Sequence, residues 1–116
     1  MKKIESFLLC KNPAREKESG EYILHTRVPR CLVEVHKFNT YEERDNFLKS
    51  HNPVRLCEKI EAAWALSIRM PVAYECIILM DPVDSDYKIE SLMRRIADWH
   101  YAIQTSNIFK RRENNK

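Results

Sequence analysis

Apolar and polar positions alternate in short blocks along this chain, and each block predicts one element. Ile4–Cys10 is largely apolar and predicts a first strand, followed by a polar connection over Lys11–Glu18. Glu21–Val28 and Arg30–Phe38 predict two further strands, with Val28-Pro29-Arg30 as a tight turn, because proline lacks the N–H that a sheet ladder needs. Thr40-Tyr41-Glu42-Glu43 has the form of a capping box and opens a short helix ending near Ser50. Asn52 followed by Pro53 predicts the start of a second helix, in which Leu56, Cys57, Ile60, Ala63, Trp64 and Ile68 share a face until Arg69-Met70-Pro71 breaks it.

Val72–Met80 is apolar except for Glu75, which predicts a strand buried on both sides. An acidic loop, Asp81–Asp86, leads to a final helix beginning near Tyr87. There Ile89, Leu92, Ile96, Trp99 and Ile103 recur at helical spacing and span an arc of about 80°. Glu90, Arg94 and Asp98 form a charged ladder on the opposite side. The next seam positions, Ser106 and Lys110, cannot continue the apolar stripe. Ile108 and Phe109 fall off it beside a basic run.

The elements together predict an α+β domain over residues 1–105 and a basic, mobile tail over 106–116. The expected architecture is a mainly antiparallel sheet of about four strands, in the order β-β-β-α-α-β-α, with helices packed on one face. A chain of 116 residues can bury enough surface to need no disulfide or metal staple.

Glycine usage narrows the function. The sole glycine is Gly20, which excludes a P-loop, a dinucleotide-binding fingerprint and a GxSxG nucleophile elbow, since each needs several glycines. Cys10, Cys31, Cys57 and Cys76 are widely spaced without a CxxC and are expected to be reduced. No apolar run is long enough to span a bilayer, and Glu5 interrupts the short stretch before Cys10, so neither a membrane anchor nor a secretory signal is expected. A cytoplasmic location follows by default.

The net charge of +3 is mild and unevenly spread: residues 1–19 carry +2, residues 20–86 carry −3 and residues 87–116 carry +4. Basic ends can hold an anionic partner weakly. Lys110, Arg111 and Arg112 are the candidate nucleic-acid contacts, with Tyr101 and Phe109 near enough for base stacking.

A tight turn at Pro29-Arg30 would set His25 opposite Glu34, on the face that also carries Arg27 and His36, away from the helices. A histidine–carboxylate pair beside an arginine can carry acid–base chemistry. Zinc would require His25, Glu34 and His36 to converge, which the ribbon does not favour, so no metal-ligand set and no cofactor are assigned. Asp81, Asp84 and Asp86 fail the EF-hand pattern, because the twelfth position from Asp84 is Arg95. His100 lies within the apolar arc and is expected to be packed and hydrogen-bonded.

These features favour a non-catalytic protein-interaction or self-associating module. Its partner is expected to be protein, with a second copy of the chain as the leading candidate through Ile108, Phe109 and Trp99. Weak nucleic-acid binding and a small enzyme built on His25 and Glu34 are the alternatives. Membrane is not among the expected partners.

Overall fold

The computed structural model describes residues 5–12, 14, 20–62 and 69–114, of which 61, 62, 69 and 105–114 are described by backbone alone. Its elements are β1 (Phe7–Lys11), β2 (Glu21–His25), β3 (Cys31–Lys37), α1 (Tyr41–Lys49), a single 3-10 turn (Pro53–Arg55), β4 (Leu56–Ala62), β5 (Arg69–Leu79) and α2 (Asp86–Asn114). The strands form one sheet in the order β1-β2-β3-β5-β4, and every neighbouring pair is antiparallel. The α+β class and the antiparallel sheet are as the sequence predicts.

The sheet has five strands because the expected second helix does not form. Asn52 does act as a cap, its side-chain oxygen accepting from the Val54 amide at 3.0 Å, and Pro53 does follow it. The turn ends after Arg55, however, and Leu56–Ala62 pairs along β5 from Leu56↔Glu75 to Ala62↔Arg69. A short apolar pattern such as Leu56, Cys57 and Ile60 fits either period, and the unpaired side of β5 decides between them. Ala63, Trp64 and Ile68, placed on the same predicted helix face, lie outside the described residues.

Alternation of burial along β2 and β3 shows how the sheet is faced. Ile23, His25, Cys31, Val33 and Val35 are buried on one side, where they meet Val72, Tyr74 and Cys76 of β5. The long helix α2 covers this first face with Ile89, Leu92, Met93, Ile96, Ala97 and His100. The predicted stripe is therefore the packed side of α2, and each fully buried residue such as Ile96 contributes roughly 1.5–3 kcal/mol. Asp98 of α2 also pairs with Lys59 of β4.

The shorter helix α1 leans on the second face through Phe47, whose ring lies 4.4 Å from that of His36 and 5.3 Å from that of Phe38. The sheet is thus flanked from both sides, fully by α2 and at one corner by α1. Thr40 caps α1 as predicted, accepting from the Glu43 amide at 3.2 Å, while Glu43 reaches back to the Asn39 amide.

The β2–β3 register differs from the expected one. Leu24 faces Leu32 and His25 faces Cys31, so the connection spans Thr26–Arg30 and contains a cis Val28-Pro29 bond. Two anchors hold Thr26 away from β3: its amide donates to Ser6 O at 2.9 Å and its hydroxyl to Glu5 O at 2.7 Å. On the other side Arg30 is clamped by Asp81, which accepts from its backbone amide, Nε and Nη2 at 2.8–2.9 Å. Shifting the register by an odd number of residues exchanges the faces, which is why Ile23 and His25 point at α2.

All four cysteines are free, and Cys31 and Cys76 are buried. The adjacent Cys76 thiol and then burial push the Cys31 thiol well above its ordinary range, so it packs as a neutral group.

Candidate functional site

Two polar nests occupy opposite faces of the sheet, and neighbouring residues of β5 feed them. The first lies under α2. Tyr74 and His100 are 1% and 0% exposed, with the tyrosine hydroxyl 2.8 Å from His100 Nδ1. His100 Nε2 lies 3.6 Å from Glu21 Oε1, and the second Glu21 oxygen lies 3.3 Å from Lys37 Nζ. Burial by itself would raise the Glu21 pKa. Hydrogen bonding from His100 and the charges of Lys37 and His100 outweigh that effect and hold it below the ordinary glutamate value. Glu21, Tyr74 and His100 are all buried, so they act as a hydrogen-bonded part of the core, which Lys37 reaches from the surface. His100 takes the packed role expected of it.

The second nest is on the opposite face and open to solvent. Glu34 and His36 come from β3 and Glu75 from β5, with Glu34 and Glu75 directly opposed in the register. His36 Nε2 is 3.1 Å from Glu75 Oε1 and 3.5 Å from Glu34 Oε2. One donor atom from each of these three residues lies within 4.8 Å of the others. His51, just beyond the C-terminal end of α1, brings Nε2 to 3.4 Å from Glu75 Oε2. Its Nδ1 lies 2.7 Å from the Phe47 carbonyl and 2.9 Å from the Ser50 hydroxyl. The Phe47 ring stacks on His51 at 3.9 Å and also contacts His36, forming a wall that orients both imidazoles. The four side chains are one-fifth to one-third exposed.

An apolar row runs beside this nest on the same face. Leu8 faces Leu24, Leu24 faces Leu32, and Leu32 faces Ile78, so four side chains cross four strands in one line. Leu8 is 37% exposed and Ile78 is 49% exposed. Between Ile78 and Cys76 the extra residue Ile77 is left without a partner on β3, marking a bulge that keeps Ile78 on the row.

The residues singled out in the sequence are thereby separated. His25 is buried on the α2 side, donating from Nδ1 to Pro29 O at 2.8 Å with its ring 5.1 Å from Phe7. Glu34 is on the other side of the sheet, so the expected His25–Glu34 pair does not form, and the acid–base constellation built on it falls away. Arg27 lies exposed in the connection between β2 and β3. His36 and Glu34 do come together, but Glu75 joins them in place of His25. Trp99 is half-buried against Phe7, with ring centroids 5.4 Å apart, so its ring belongs to the packed side of α2. Ile108, Phe109, Lys110, Arg111 and Arg112 are on the last turns of α2, and their side chains lie outside the described residues.

Glu75 was legible as the one charge in an otherwise apolar strand, which is itself a signal. Its partners were not, because pairing with Glu34 joins residues far apart in sequence. His51 carried no pattern of its own, being placed by the end of α1. No protein-family model matches the chain, and neither does any curated protein or solved structure. Among the described residues no helix is long and apolar enough to cross a membrane.

Proposed function

We propose that this chain is a non-catalytic protein-interaction module that self-associates through the second face of its sheet. The observation that supports this is the row Leu8–Leu24–Leu32–Ile78, continuous across four strands and exposed at both its ends, Leu8 and Ile78. An apolar line without an interposed charge favours an equally apolar occupant. A copy of the same row, brought over by a two-fold axis, supplies one without a second gene product. Two such sheets would stack about 10 Å apart with their strands about 30° out of alignment.

The row also suits association because it costs little to present. Its four side chains stand on paired strands, so their backbone is ordered before any partner arrives. Light scattering after gel filtration tests the proposal. The wild-type chain should elute with the mass of a dimer, and Ile78→Lys should elute as a folded monomer, since Ile78 is half-exposed and its replacement leaves the α2 face intact. A monomeric wild type at its highest soluble concentration removes the proposal, as does a dimer that survives both Ile78→Lys and Leu8→Lys.

A further inference from the structure

We propose that Glu34, His36 and Glu75, completed by His51, form a binding site for a divalent transition-metal ion, with zinc the best match. The inference is independent of self-association and rests on the nest alone.

Spacing is the first argument. Zinc holds nitrogen and oxygen ligands at about 2.0–2.1 Å in a tetrahedron, which places neighbouring ligand atoms about 3.3 Å apart. The contacts here are 3.1 Å from His36 to Glu75, 3.5 Å from His36 to Glu34 and 3.4 Å from His51 to Glu75. His36 therefore stands from each carboxylate at a separation one ion would impose, and one donor atom from each of the three residues lies within 4.8 Å of the others. His51, 32% exposed, meets the other Glu75 oxygen, Oε2, and is the candidate fourth ligand at the edge of the nest.

Charge is the second argument. Glu34 and Glu75 face each other directly on adjacent strands, an arrangement of like charges that destabilises a sheet. A divalent cation held between the two carboxylates would relieve that repulsion.

Histidine tautomer is the third. In the tautomer whose Nδ1–H donates to the Phe47 carbonyl, a neutral His51 would direct its Nε2 lone pair at a carboxylate oxygen. Two lone pairs repel unless a cation lies between them. Tying one ring nitrogen to a carbonyl while the other faces the ion is also how metal-binding histidines are commonly oriented. Two imidazoles with two carboxylates suit zinc and its neighbours better than magnesium or calcium, which prefer oxygen alone. Bound there, the ion would join β3, β5 and the end of α1.

The full chain, stripped with a chelator and dialysed, should take up one zinc per molecule in isothermal titration, and its melting temperature should rise with zinc. Cobalt in place of zinc should give visible bands without the near-ultraviolet charge-transfer absorption of a thiolate ligand. Glu75→Gln and Glu34→Gln should each weaken binding at least about tenfold. Neither should lower the melting temperature of the metal-free protein, because each removes one of two opposed carboxylates. Absence of saturable zinc binding overturns the proposal, as does wild-type affinity in both variants. Thiolate absorption that disappears in Cys57→Ser or Cys10→Ser also overturns it. A melting temperature that falls in both metal-free variants, with zinc inert in the wild type, would identify protonated histidines as the balancing charge and overturn it too.

Discussion

Replacing Tyr74 with phenylalanine tests the buried nest under α2 with very little change of shape. The substitution removes one hydroxyl and leaves the ring in place, so the change of cavity volume is negligible. What it does remove is the 2.8 Å hydrogen bond to His100 Nδ1. His100 is fully buried. A buried group stripped of its partner costs about 1–3 kcal/mol. For a chain of this size each kcal/mol lowers the melting temperature by roughly 4 °C, so the expected fall is about 4–12 °C. Urea unfolding followed by tryptophan fluorescence reads the free energy directly, and Trp99, packed against Phe7, reports on the same face of the sheet. Tyr87→Phe is the control, because Tyr87 is 75% exposed and its hydroxyl should contribute within about 0.5 kcal/mol. A double-mutant cycle with His100→Leu should show coupling, since the two side chains are in direct hydrogen-bond contact. If Tyr74→Phe matches the control, or if the two substitutions add without coupling, the hydrogen bond is not part of what holds α2 to the sheet.

Two further expectations concern acid. The Glu21 carboxyl is held below its ordinary value, so it adds stability above the ordinary glutamate value of 4.5 and loses it as pH falls through the lower folded value. Glu21→Gln should lower stability at neutral pH and flatten the acid limb of the unfolding curve; a limb unchanged in slope would contradict this. Asp81, chelated by the Arg30 side chain and backbone, should titrate at about 2 by carbon-detected NMR, and Asp81→Asn should speed amide exchange at Arg30. A midpoint in the ordinary aspartate range would show that the clamp is not formed in solution.

Local chemistry made several elements legible. Thr40 and Glu43 marked the start of α1, and the spacing from Ile89 to Ile103 marked the packed side of α2, because both signals depend on residues within a few turns. β4 was not legible, since Leu56–Ile60 is too short to separate helical from strand periodicity, and the free edge of β5 settles it. The open nest was half legible. Glu34 and His36 share a face in any strand, so their association survived. The pairing with His25 did not, because the facing of β2 depended on the length of the β2–β3 connection. Thr26 and Arg30 fix that length through Ser6, Glu5 and Asp81, contacts with no trace in the local pattern.

β5 also explains how an almost uniformly apolar strand finds its alignment. A run such as Val72–Met80 offers similar side chains to both faces, so hydrophobicity alone would tolerate a slip of one residue. Tyr74 and Glu75 do not tolerate it. Such a slip would turn the Glu75 carboxylate into the apolar core under α2 and the Tyr74 ring out to the opposite face. Each error costs several kcal/mol on its own, and the two occur together. The adjacent pair works as a registration mark, a polar notch of two letters in an apolar word. Its single correct setting places His100 and His36 at once, on opposite sides of one strand.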